Sequence, residues 1–220
     1  MYVLKFRGAG QGPKVLVAEL IAGEIARAAG LAVPEIVFMQ LDPDLARTEP
    51  DAEIQALIRA SAGLNLALDY LPGAVMFDAL AERPDPQLAS SIVWFDAYVS
   101  NVDRTARNAN LLVWHRQLQL IDHGAALYFQ HDWDGTGRSQ DPFARIKDHI
   151  LLPLASALSE VDAVLAARLT PAVIRDITAL VPENWLGANS RDAYTEHLTR
   201  RLSPPRLFTE EAIRAHAQLV

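Results

Sequence analysis

"NVDRTARN" at residues 101–108 and "LIDHG" at 120–124 decide how this chain is read. The first packs two Asn, one Asp and two Arg into eight positions directly after an apolar stretch. Between the two, "NLLVW" (110–114) and "LQLI" (118–121) read as short strands around a turn at His115-Arg116. A hairpin centred there brings Asn108 and Asp122, nearly equidistant from the turn, to its open end. Leu118, Leu120 and Asp122 share one face by the two-residue alternation of a strand, so Asp122 is expected to continue an inward row. An inward, unpaired carboxylate is costly and demands a cation or several donors. Asp103 lies in the same loop as Asn108. Two Asp and one Asn at a hairpin mouth suit a hard cation such as Mg2+, which takes oxygen ligands and fills its shell with water or phosphate. The plain alternative is a polar loop in which Asp103 caps a turn and Asp122 pairs with an Arg.

Working outward, "PQLASSIVWFDAYV" (86–99) reads as a helix apolar on most sides, with Trp94 and Phe95 in the core. Upstream, "YVLKF" (2–6) alternates as a strand, and "RGAGQGP" follows as a loop with Pro13 near a helix start. A helix over 15–29 closes at Gly30. "VPEIVFMQL" and "LNLALDYL" read as strands, with a short helix around 53–60 between them. "LPG" at 71–73 breaks the pattern, placing an N-terminal lobe at 1–72 and a C-terminal lobe at 73–220. From about residue 150 the periodicity is helical, with Ser159 as a candidate cap of "SEVDAVLAARL". Strands concentrated early and helices late make an α+β layout.

Composition removes whole classes of function. There is no cysteine, hence no disulfide framework, thiol nucleophile or Cys-ligated metal, which fits a cytoplasmic setting. A net charge of −7 without a dense basic block argues against duplex nucleic-acid binding. Charge or proline interrupts every apolar run short of a membrane span, and the N-terminus lacks a signal-peptide layout. Gly8, Gly10 and Gly12 give G-x-G-x-G followed by Pro13, the wrong spacing for a dinucleotide fingerprint. "DWDGTG" (132–137) lacks the closing Glu of a calcium loop and reads instead as a stretch where a substrate could dock. No His pair at i, i+4 beside a Glu and no G-x-S-x-G occur, which excludes the corresponding hydrolase motifs.

The Asp-x-x-x-x-Asn loop and the Asp-x-Gly that follows resemble the catalytic and metal-binding loops of the protein-kinase-like superfamily. The closest resemblance is to the HipA-like kinases, and "YVLKF", "AELIAGEIARAAGLAVPE" and "DYLPG" stand upstream in the corresponding order. The resemblance spans roughly residues 2–125. It implies a two-lobed kinase-like fold that uses ATP and Mg2+ to phosphorylate a hydroxyl acceptor, protein or small molecule. By it, Asp103 orients or deprotonates the acceptor, Asn108 and Asp122 hold Mg2+, and Lys5 contacts the nucleotide phosphates. A helix Glu would hold Lys5: Glu19 by spacing to "GLAVPE", although amphipathic patterning marks Glu24 as the half-buried one and both could be solvated. "LDYLPG" would be the hinge, with backbone groups near Tyr70 and Leu71 facing adenine.

Two departures from the family pattern matter. Only Met1 to Leu4 precede Lys5, where such kinases carry a phosphate-covering loop, so the first lobe is expected to be truncated at its start. That motivates an alternative: a catalytically inactive, kinase-shaped module that binds a regulatory protein partner. Thr105 stands where many relatives carry His.

Overall fold

The computed structural model describes residues 1–10, 12–131, 138–187 and 189–219. Its first strand, β1 (Tyr2–Lys5), leads through the glycine loop into helix α1 (Pro13–Ala29). Pro13 occupies the helix start, where its missing N–H costs nothing and its fixed φ fits. Gly30 ends the helix at φ +89°, a left-handed cap natural to glycine. β2 (Ile36–Leu41), α2 (Ala52–Ala60) and β3 (Gly63–Asp69) follow, with the Asp51 side chain accepting from the Glu53 and Ile54 amides at the start of α2. The strands form an antiparallel sheet in the order β1-β3-β2, pairing Lys5 with Leu66 and Ile36 with Leu68. α1 is buried along most of its length, and at Gly23 a Cβ would lie 2.4 Å from Ile36 Cδ1. Its small-residue face is where β2 approaches.

A second antiparallel sheet, β4-β5-β6, comprises Val75–Met76, Leu111–Trp114 and Gln117–Leu120. The hairpin is where the sequence placed it. β4 is new, because two residues carry no periodicity to detect. At the turn, His115 and Arg116 both have positive φ (50° and 68°), the backbone of a two-residue hairpin turn that Asn-Gly fits best. Replacing His115-Arg116 by Asn-Gly should therefore stabilise the chain by about 1 kcal/mol, read as a higher denaturation midpoint at unchanged slope.

Helix α3 (Pro86–Tyr98) is capped by Asp85, whose side chain accepts from the Leu88 amide. It packs against α4 (Leu158–Arg168) and α7 (Leu207–Ala217), with α5 (Pro171–Ala179) and α6 (Arg191–Leu202) completing the helical part. The expected Ser159 cap is overturned: α4 begins at Leu158, so Ser159 lies inside the helix. The Ala157 amide instead donates to Ser90 Oγ of α3 at 2.9 Å. One core runs through both parts and includes Trp94, Phe95, Tyr98, Trp185 and Phe208, all fully or almost fully buried. Buried Arg201 gives its guanidinium to the Ala97 and Tyr98 carbonyls that end α3, and to those of Ser139 and Asp141. Two small antiparallel sheets and seven α-helices among the described residues make the α+β class. No helix among them is long and apolar enough to cross a membrane.

Candidate active site

The hairpin ladder ends where the Ile121 amide donates to the Asn110 carbonyl at 3.1 Å. Beyond it the backbone leaves the extended region: Asn110 has φ +48° and Asp122 φ +55°. Alternation holds only for extended backbone. Asp122 therefore does not continue the inward row of Leu118 and Leu120; its side chain is 49% exposed. Nor does it pair with an Arg. Its Oδ1 lies 2.6 Å from Lys5 Nζ, across from β1.

Lys5 also faces Glu19, whose Oε2 is 3.8 Å from Nζ. Burial works against the Lys5 ammonium, but the Glu19 and Asp122 carboxylates outweigh it and raise its pKa above the ordinary value. Glu19 is fully buried on α1, whereas Glu24 stands at the helix edge, 3.8 Å from Arg27. The acidic residue brought to Lys5 is thus Glu19. Behind it sits His123, also fully buried, with Nδ1 3.4 Å from Glu19 Oε1 and its ring edge-on to Phe95. Among the described residues neither Glu19 oxygen has a hydrogen-bond partner. Burial alone would raise the Glu19 pKa; proximity to His123 and Lys5 reverses the sign and lowers it. Gly124 completes the close packing, since a Cβ there would meet Val15 Cγ1 at 2.7 Å.

On the other side of the mouth, Asp103 Oδ2 accepts from Asn108 Nδ2 at 2.8 Å and from Asn110 Nδ2 at 3.4 Å. The Asp103 amide donates to Asn101 Oδ1 at 3.2 Å. Thr105 and Asn108 exchange backbone hydrogen bonds that close the loop between them. The structure therefore joins the candidates in two groups, Lys5-Glu19-Asp122 and Asp103-Asn108, held on the two sides of one hairpin mouth. Asn108 uses its amide nitrogen on Asp103, which reserves its oxygen for another partner. Asp122 likewise has a second carboxylate oxygen besides the Oδ1 that meets Lys5. Among the described residues no group of three or more His, Asp or Glu side chains stands together as a metal cluster.

In the hinge segment the Tyr70 amide donates to the Met1 carbonyl at 2.9 Å, extending the β1-β3 pairing. Tyr70 is 45% exposed and Leu71 is buried. Trp114 Nε1 anchors the same segment through the Pro72 carbonyl at 3.0 Å. "DWDGTG" lies outside the described residues. Sequence reasoning missed the buried ion pair Asp96–Arg104 (2.5 Å) directly beneath the Asp103 loop. Its signal was present: a lone carboxylate inside the apolar run "IVWFDAYV" must find buried donors.

A small sheet with its Lys beside a helix Glu, joined to a helical part that carries the Asp103 loop, makes the two-lobed architecture of protein-kinase-like proteins. The fold agrees with the crystal structure of the Helicobacter pylori proinflammatory kinase CtkA. The match has a TM-score of 0.55 and covers 99% of this chain and 91% of that one, at 16% sequence identity. Residues 1–203 match the HipA-like kinase family, and the chain belongs to that family. No curated protein sequence matches it.

Proposed function

We propose that the chain transfers the γ-phosphoryl group of ATP, bound with Mg2+, to a hydroxyl on a protein or small-molecule acceptor. The observation that carries this reading is the convergence of Lys5 on both Glu19 and Asp122, opposite the Asp103–Asn108 pair. In this reading residues 1–72 form the nucleotide lobe and residues 73–220 supply the catalytic and metal loops. Lys5 binds the phosphates, and buried Glu19 keeps it aimed while staying ionised. Asn108 and Asp122 hold Mg2+, which when bound compensates charge on the phosphate oxygens. Asp103 receives the acceptor hydroxyl, orienting it and taking its proton as the new ester forms. The Tyr70 carbonyl and Leu71 amide are the proposed adenine contacts. Catalysis of this kind rests on positioning and electrostatics rather than on a covalent intermediate.

Thermal unfolding of the chain with Mg-ATP tests the binding half. At about a hundred times Kd, Mg-ATP should add roughly 2.7 kcal/mol of stability. Asp122→Asn should remove most of that shift, because it takes away a ligand charge while keeping the shape of the side chain. No shift in the unchanged chain, together with no labelled phosphate transferred from ATP, would overturn the reading. It would favour the inactive module instead.

A further inference from the structure

Helix α3 carries one charged residue, Asp96, and it is fully buried. Three donors converge on its carboxylate. Arg104 Nε reaches Oδ2 at 2.5 Å, His149 Nε2 reaches the same oxygen at 2.9 Å, and Asn101 Nδ2 reaches Oδ1 at 2.8 Å. His149 Nδ1 accepts the Leu151 amide at 3.0 Å, so the ring proton sits on Nε2 and points at Asp96. Arg104 turns its Nη1 onto the Asn110 carbonyl at the far end of the loop. Its own carbonyl accepts the Ile150 amide at 3.1 Å, and Thr105 pairs with His149 as an antiparallel bridge.

These partners bracket Asp103. Asn101 also accepts the Asp103 amide, Arg104 is the next residue, and Asn110 donates to the Asp103 carboxylate. Stability alone does not require this pattern, since a buried ion pair can often be replaced by apolar side chains without loss. Here the bonds run to the two ends of one loop and to a chain segment far away in sequence. We infer that Asp96, Arg104 and His149 are positioning residues for phosphoryl transfer, fixing Asp103 through the loop and making segment 149–151 part of its support. This rests on the function proposed above. Arg104 and His149 overcome the effect of burial and hold Asp96 well below the ordinary carboxylate range, so the keystone charge is present throughout the physiological range.

Two substitutions at His149 separate positioning from local turn structure. In His149→Gln the side-chain amide can still donate to Asp96 but no longer accepts from Leu151. His149→Asn does the reverse. Neither uncovers Arg104, because Asp96 stays. Both variants are to be measured for amide hydrogen exchange at Asp103, Thr105 and Asn108, and for kcat and KM with Mg-ATP. His149→Asn should lose protection at those amides and fall about 100-fold in kcat with KM for ATP little changed. His149→Gln should stay close to the unchanged chain in both. The opposite order, or equal behaviour of the two, overturns the inference and leaves His149 a turn residue. If the loop amides respond as expected while the unchanged chain transfers no phosphate, the proposed function fails and the support of the loop stands.

Discussion

Asp103→Asn should bind Mg-ATP as the unchanged chain does and transfer phosphate about 10²- to 10⁴-fold more slowly, the range typical of losing a general base. Asn is the informative replacement. Its side-chain oxygen can still accept from Asn108 Nδ2, the bond that orients Asn108 at 2.8 Å. Ala would release both Asn108 and Asn110 and confuse loss of the base with collapse of the metal side. Asp122→Asn makes the contrast: its defect belongs in the affinity for Mg-ATP, because its carboxylate is paired with Lys5, the proposed phosphate contact. Single-turnover transfer measured beside nucleotide titration separates the two. Equal loss of affinity in both variants would mean that the site does not divide into a metal side and an acceptor side, and the assigned roles would fall.

Local signals made the hairpin and its loop readable. The strand at 111–114 is a short apolar run and the one at 117–120 alternates, the turn at His115-Arg116 lies at their midpoint, and the polar cluster sits at the other end. The orientation of Asp122 was not readable, because it depends on a left-handed backbone that no periodicity encodes. Glu19 and Glu24 illustrate the same limit on a helix. Patterning favoured Glu24 because apolar neighbours mark the face that meets a core. Glu19 sits where Gly23 lets β2 approach and where Lys5 and His123 arrive from elsewhere in the chain. Resemblance to the family, which encodes long-range contacts, pointed to Glu19 where the wheel did not. Ser159 failed for a related reason: the start of α4 is satisfied across the fold by Ser90, so a good capping residue one position inside the helix had no role there.

Removing the Asp96 carboxylate should be the most destabilising single change in this region. Asp96→Ala leaves the Arg104 guanidinium fully buried without its Asp96 counter-charge, and among the described residues its Nη2 already lacks a hydrogen-bond partner. Breaking such a pair from one side costs about 3–5 kcal/mol, a large share of the roughly 5–15 kcal/mol that holds a typical domain folded. The double change Asp96→Leu with Arg104→Met removes both charges and should recover most of that loss, since apolar packing can stand in for a buried ion pair. Urea denaturation of the three chains measures the coupling. A depressed carboxyl contributes stability above its unfolded pKa and loses it as pH falls through the folded one. The unchanged chain should therefore lose stability steeply only below the ordinary carboxylate range, and Asp96→Ala should show a flatter profile there. A cost under about 1 kcal/mol for Asp96→Ala, the size of an exposed pair, would show that Arg104 finds other compensation. The carboxylate would then not be what holds the loop's charge in place.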